Sequence, residues 1–73
     1  MRTLINHNGN KFYIDHEHPN NDGTNVVYVM EHFVNGEPFA IGDVYNKDTD
    51  HNRELFTEAA SRAFERARSA PFN

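Results

Sequence analysis

One amphipathic segment constrains the fold of this chain more than any other feature. Residues 53 to 69 read RELFTEAASRAFERARS, and their apolar residues recur at the spacing of one side of an α-helix. Those residues are Leu55, Phe56, Ala59, Ala60, Ala63, Phe64 and Ala67. Pro71 is expected to end the helix, and four residues before it are candidate N-terminal caps: Asp48, Thr49, Asp50 and Asn52. A single helix covers only one face of a sheet, so a sheet in this chain should have one face that the helix leaves uncovered.

A β-hairpin is predicted across Asn35-Gly36, within TNVVYVMEHFVNGEPFAIGDVY. A two-residue turn would pair Val34 with Glu37 and mix polar and apolar groups on each face. A three-residue loop, with Gly36 in the left-handed region, pairs Phe33 with Glu37 and segregates the side chains better, so we predict this register. It gives the helix an apolar face formed by Val27, Val29, Phe33, Phe39 and Ile41.

The remaining segments complete an α+β fold. Glu31 stays on the apolar face in the chosen register, which is its one defect. Pro38 has no N–H, so the last strand should be an edge, and the segment 11–15 (KFYID) should pair on the other side of the hairpin. The prediction is a single domain, residues 1–73, with a three-stranded antiparallel meander packed on one C-terminal helix. Asn8-Gly9 either turns residues 1–10 back as a short fourth strand or leaves them as a disordered tail.

Composition narrows the class of protein. The chain has 73 residues, no cysteine, and a net charge of −4, of which residues 1–52 carry −5. No secretory signal or membrane span is apparent, so we expect a soluble monomer in the cytoplasm. Phosphate binding needs clustered Lys and Arg, so direct nucleic-acid binding is disfavoured and a basic protein surface is the expected partner.

The stretch DHEHPNNDG, residues 15–23, raises the question of a metal site. His16 and His18 would point the same way on an extended segment, and His7, His32 and His51 could supply further nitrogen ligands. No third ligand has a predictable position, however. We therefore interpret this stretch as a polar loop and expect no metal.

Calcium binding and catalysis find little support. The segment 48–53 begins like an EF-hand loop, but Arg53 stands where glycine is needed and Ala59 where a bidentate glutamate is needed. Ser61 and Ser69 lie in the predicted helix without an evident base, and no glycine-rich phosphate loop follows a strand. We expect a non-enzymatic protein without a cofactor.

The sheet face away from the helix is the predicted binding surface. In the chosen register it carries Tyr13, Val26, Tyr28, Met30, His32, Val34 and Ala40, with acids beside them. The predicted partner-binding residues are Tyr13, Asp15, Tyr28, Met30, His32 and Asp43. The alternative is that the N-terminal segment or the loop 16–25 folds over this face and makes a second small core.

Two functional classes are compatible with this frame. Small sheet-type DNA-binding domains share the meander and helix, but they place Arg and Lys on the outward face, where this chain has Tyr13, Tyr28, Met30 and His32. In size, acidity, lack of cysteine and element order, the chain resembles small bacteriophage host-takeover proteins, including a transcription regulator of a Xanthomonas phage. That resemblance covers the whole chain and rests on its general character.

The resemblance implies a specific partner. It implies binding to the host RNA polymerase in the host cytoplasm, at a basic segment near the N-terminus of the largest subunit, with inhibition of initiation and promotion of antitermination. It implies no cofactor, and it does not identify which residues of this chain bind the partner.

Overall fold

The computed structural model describes residues 1–70, which form a four-stranded antiparallel sheet and one helix. The elements are β1 (Arg2–His7), β2 (Asn10–Asp15), β3 (Asn25–Val34), β4 (Glu37–Asn46) and α1 (Asp50–Ser69). The strands lie in the order β1-β2-β3-β4, so the fold is the predicted α+β meander with the fourth strand present. Pro71, predicted to end the helix, lies outside the described residues. Within those residues no helix is both long and apolar enough to cross a membrane.

Both Asn-Gly pairs form two-residue turns. Asn8 and Gly9 have φ values of 51° and 83°, and Asn35 and Gly36 have 52° and 83°. Positive φ at both central residues is the signature of a type I′ turn, whose twist matches that of the flanking strands. Val34 therefore pairs with Glu37, and the three-residue loop predicted from the sequence is wrong.

This register reverses the predicted faces of β3. Tyr28 now pairs with Asp43 and Met30 with Ile41, and all four project toward α1. A one-residue change of register moves every side chain of a strand to the other face, relative to its partner. Val27, Val29 and Phe33 consequently lie on the side away from α1, called the open face below. Of the predicted helix-facing set, Phe39 and Ile41 do lie on the helix side, where Ile41 packs against the core.

The core lies between the sheet and α1. The sheet contributes its apolar side chains on the helix side: Ile5, Phe12, Ile14, Val26, Tyr28, Met30 and Val34. The helix contributes Phe56, Ala60 and Phe64. Phe56 is fully buried, with its ring 5.1 Å from that of Phe12 and 5.4 Å from that of Tyr28. The predicted apolar stripe therefore identifies the buried side of the helix, although Leu55 at its margin is 41% exposed.

The helix begins three residues earlier than predicted. Thr49 is its N-cap: the side-chain hydroxyl accepts a hydrogen bond of 3.0 Å from the Asn52 backbone N–H. Asp50 lies in the first turn, and Arg66 and Arg68 lie in the last, an arrangement that complements the helix dipole. Of the four candidate caps, the structure selects Thr49.

The left-handed conformation of Gly36 gives a testable prediction. Replacing Gly36 by alanine should lower the free energy of unfolding by about 1 kcal/mol, because a Cβ is disfavoured at positive φ. A Cβ there would meet no atom within 4 Å, so the conformation is the only source of strain. Gly42→Ala is the control, since that Cβ makes only ordinary contacts, at 3.7 Å. Urea unfolding should show the loss for Gly36→Ala and little change for the control.

Candidate functional site: the acidic β3–β4 hairpin

The six predicted binding residues do not form one surface. Tyr28 is completely buried and Met30 is 4% exposed, both beneath α1, so neither can contact a partner of the folded chain. Their assignment to the exposed face is wrong because it depended on the three-residue loop. Tyr13 and Asp15 lie on the open face, whereas His32 and Asp43 lie on the helix side.

Tyr13 is part of the open face but is mostly covered. Its ring is 9% exposed, and the Arg2 guanidinium lies 4.3 Å from the ring centroid. Arg2 also approaches Glu31, with 3.7 Å between Nη1 and Oε1. Burial raises the pKa of the Tyr13 hydroxyl, and the Glu31 carboxylate raises it further. Tyr13 thus supports the open face and offers little area to a partner.

The other predicted polar residues sit at the margins. Asp15 is half-buried and accepts a hydrogen bond of 3.1 Å from the Glu17 backbone N–H. His32 is exposed, but its ring packs edge-on against Phe64 with 4.7 Å between centroids. Asp43 is exposed and accepts a hydrogen bond of 3.0 Å from the Val44 backbone N–H. Asp43 and His32 both belong to the β3–β4 hairpin.

Within residues 1–70, the N-terminal segment does not cover the open face. Residues 2–7 extend the sheet as its edge strand β1 and do not cross its face. On this face Leu4 is 83% exposed, Phe33 73% and Val44 40%, while Tyr13 and Val27 are buried. The alternative second core therefore does not extend over Leu4 and Phe33 in the described part of the chain.

The strongest concentration of exposed aromatic groups lies at the tip of the β3–β4 hairpin. A groove of about 340 Å³ is lined by Glu31, His32, Phe33, Pro38, Phe39 and Ala40. Phe33 projects from the open face and Phe39, 42% exposed, from the helix side. Four of the six lining residues, Glu31, Phe33, Pro38 and Ala40, belong to the open face.

The hairpin is also acidic. We call residues Asn25–Asn46 the acidic hairpin, because they contain Glu31, Glu37 and Asp43 and neither lysine nor arginine. Their charge of −3 equals that of residues 15–24, which contain Asp15, Glu17 and Asp22. The helix, by comparison, has four acids and four bases and is electrically balanced. A long-range attraction for basic partners should therefore come from this hairpin together with residues 15–24.

The exposed aromatic residues of this hairpin are not the ones predicted from the sequence. Phe33 and Phe39 were expected in the core, because a segregated hydrophobic face was preferred over a standard turn. The available signal was Asn35-Gly36 itself, which favours a two-residue type I′ turn. Accepting that turn would have placed Phe33 on the face away from the helix.

A second polar cluster joins the sheet to the start of the helix. The Tyr28 hydroxyl donates a hydrogen bond of 2.6 Å to Asp48 Oδ1, and Arg53 donates two bonds of 2.7 Å to the same carboxylate. The Arg53 bonds hold the pKa of Asp48 below its usual range, against the opposing effect of burial. Burial raises the pKa of the Tyr28 hydroxyl, and Asp48 adds to that rise. At neutral pH neither group is poised for proton transfer, so the cluster stabilises the fold.

The histidines do not assemble around a common point. Among residues 1–70, no three His, Cys, Asp or Glu side chains form a group that could hold a metal ion. His16 Nε2 lies 2.6 Å from the Thr3 hydroxyl, and His7 Nε2 lies 2.8 Å from Glu54 Oε2. His18 Nδ1 accepts a hydrogen bond from a backbone N–H within its own loop. Each of these three histidines has a different partner.

No protein-family model matches the chain, and neither the curated proteins nor the solved structures contain a match. The geometry of the acidic hairpin is therefore the basis for a functional proposal.

Proposed function

We propose that this protein is a non-enzymatic, protein-binding regulator that uses the acidic hairpin as its contact surface. In its most specific form, it is a phage-encoded protein that binds host bacterial RNA polymerase in the host cytoplasm, inhibits initiation and promotes antitermination. The specific form comes from the resemblance in size, acidity and element order. The general form is supported by one observation: exposed Phe33 and Phe39 flank a groove on the part of the chain that carries charge −3.

The combination of charge and aromatic area suits a regulatory contact. Attraction between the acidic hairpin and a basic surface would speed the encounter, since opposite charges steer association. Burial of Phe33 and Phe39 in the complex would slow dissociation, because buried aromatic residues dominate the energy of many interfaces. The predicted roles of Tyr28 and Met30 thus pass to Phe33 and Phe39.

The alternative, a sheet-type DNA-binding domain, is less well supported. On the open face, Arg2 and Lys11 are matched by Asp15 and Glu31, and Arg2 is already engaged with Glu31 and Tyr13. A face without excess positive charge gains little from phosphate contacts. A gel shift on mixed-sequence duplex DNA that persists at moderate salt would favour this alternative.

The proposal is tested with purified Xanthomonas RNA polymerase on a biosensor surface. Phe33→Ser should weaken binding by about tenfold, mainly through faster dissociation, because it removes a buried aromatic contact. Leu4→Ser is the matched control, since Leu4 is even more exposed but lies on β1, outside the hairpin. It should bind as the wild type does, and single-round transcription should show inhibition by the wild type and the control.

Two results would contradict the proposal. One is that the wild-type chain fails to bind the polymerase at micromolar concentration. The other is that Phe33→Ser and Leu4→Ser bind and inhibit equally well, which would remove the hairpin from the interface.

A further inference from the structure

The outer edge of β4 is a row of backbone groups that no described strand pairs with. β4 lies at the end of the strand order, with β3 on its inner side only. Val34 and Glu37 flank a two-residue turn, so they exchange both of their backbone hydrogen bonds with each other. From there the direction alternates, so the outward groups are the C=O of Pro38 and the N–H and C=O groups of Ala40, Gly42, Val44 and Asn46.

Both ends of this edge are blocked, but its centre is not. Pro38 has no N–H to offer, and the Val44 N–H already donates to Asp43 Oδ1 at 3.0 Å. Between Pro38 and Val44, the Ala40 and Gly42 N–H groups remain as outward donors, with outward carbonyls beside them. Proteins use proline and side-chain caps to prevent edge pairing, so their placement here limits pairing to a short central window.

The side chains around this window indicate what would pair there. Glu37 and Asp43 bracket it on the helix side, and Glu31 lies across from Ala40 on the open face. On that face the neighbouring exposed apolar side chains are Phe33, opposite Pro38, and Val44. A strand added to β4 would therefore meet a carboxylate near each end of its helix-side row, with Phe39 and Ile41 between them, and Ala40 and Gly42 on the open face.

A basic segment fits this edge better than a second copy of the chain. Pairing two copies edge to edge would bring two hairpins of charge −3 together, each without a compensating lysine or arginine. Like charges placed across strands are destabilising, whereas opposite charges are stabilising. The other edge strand, β1, contains Arg2 and no acid, so it lacks this preference.

We propose that β4 binds an extended, basic protein segment by strand addition, with hydrogen bonds at Ala40 and Gly42. The segment carries Lys or Arg at two positions about six residues apart, facing Glu37 and Asp43, and apolar side chains between them, facing Phe39 and Ile41 or lying over Ala40 toward Phe33. This mode rests on the proposed protein-binding function and specifies how the partner is held. Backbone hydrogen bonds supply affinity and the alternating side chains supply specificity.

The first test uses a synthetic peptide of about eight residues, in which two lysines about six positions apart flank valine and threonine. Titrated into the wild-type chain, it should slow hydrogen exchange at the Ala40 and Gly42 amides by about tenfold or more, because both become hydrogen-bonded. A peptide N-methylated at alternate residues keeps its charge but loses its backbone donors, and should bind about tenfold more weakly. A lysine peptide that binds no better than a glutamate counterpart, or leaves both amides unprotected, would overturn the proposal.

The second test uses a matched pair of variants. Ala40→Pro removes one outward donor, while Ala40→Ser keeps it with a side chain of similar size. Pro38 already occupies an equivalent outward position, so the edge accepts a proline ring there. Ala40→Pro should bind the peptide and the polymerase about tenfold more weakly than Ala40→Ser. If Ala40→Pro does not fold, the N-methylated peptide decides the question on the wild-type chain.

The outcomes separate the two proposals. If the polymerase binds Ala40→Pro and Ala40→Ser equally, strand addition is wrong while the regulatory function stands. If the lysine peptide protects Ala40 and Gly42 but the polymerase does not bind at all, strand addition stands and the partner is wrong. Concentration-dependent dimerisation that protects the same two amides without peptide would show that a second copy occupies the edge, and would overturn the basic segment.

Discussion

Replacing Phe56 by alanine is expected to lower the free energy of unfolding by about 3–5 kcal/mol, the range for truncating a buried phenylalanine. Phe56 is completely buried, and its ring contacts those of Phe12 and Tyr28 and lies 6.2 Å from that of Tyr45. Truncation would leave a cavity facing three aromatic rings. Domains of this size have a total stability of about 4–11 kcal/mol, so a large part of it would be lost.

Leu55→Ala is the matched control for this prediction. Leu55 precedes Phe56 in the helix and is also a large apolar residue, but it is 41% exposed. Its truncation should cost less than about 1 kcal/mol, as for most partly exposed sites. Urea unfolding followed by circular dichroism measures both variants. Equal losses of stability would mean that α1 does not bury Phe56 against the sheet.

The element order could be predicted from the sequence because its signals are local. The stripe around Phe56 and Phe64 has a helical period, and two Asn-Gly pairs fix where the chain reverses. Pro38 identified β4 as an edge strand, and the structure places it there. The choice between a fourth strand and a frayed tail could not be made, since pairing of β1 with β2 depends on neighbours and not on local pattern.

The hairpin register could not be recovered by segregating polar from apolar residues. That rule disfavoured a face shared by Met30, His32 and Asp43, yet this is the face against α1. It fails because the polar groups find partners there: the His32 ring packs against Phe64, and Asp43 stays exposed at the edge. Tyr28 likewise buries its ring, while its hydroxyl reaches a carboxylate outside the sheet.

The acidic and aromatic character of the candidate surface was expected from the sequence, but two of the residues expected to be accessible, Tyr28 and Met30, are buried. An acidic, aromatic surface beside Asp43 was expected, and the acidic hairpin has that character. The error in register exchanged Tyr28 for Phe33 as the accessible ring. The cluster of Asp48, Arg53 and Tyr28 could not be predicted from the sequence, because Tyr28 is 20 residues from Asp48 in the chain.

Replacing Asp48 by alanine is expected to lower the free energy of unfolding by about 2–3 kcal/mol at pH 7, because a buried hydroxyl loses its acceptor and a charged hydrogen bond is lost. The two groups left without their partner are Tyr28, completely buried, and Arg53, which makes two bonds of 2.7 Å to this carboxylate. Asp48→Asn keeps an oxygen that can accept from Tyr28 and loses the charge and the second acceptor for Arg53, so its loss should be smaller. Thermal or urea unfolding of both variants measures the difference.

The pH dependence of that loss identifies its cause. The pKa of Asp48 is held below the ordinary value of 3.8, so the folded state favours the carboxylate. The resulting stability is present above the unfolded-state pKa and disappears as the pH falls through the folded-state pKa. The difference in the free energy of unfolding between the wild type and Asp48→Asn should therefore be constant near neutral pH and become smaller below about pH 4. A difference that persists unchanged in acid would show that Arg53 and the Asp48 charge contribute nothing to holding the helix on the sheet.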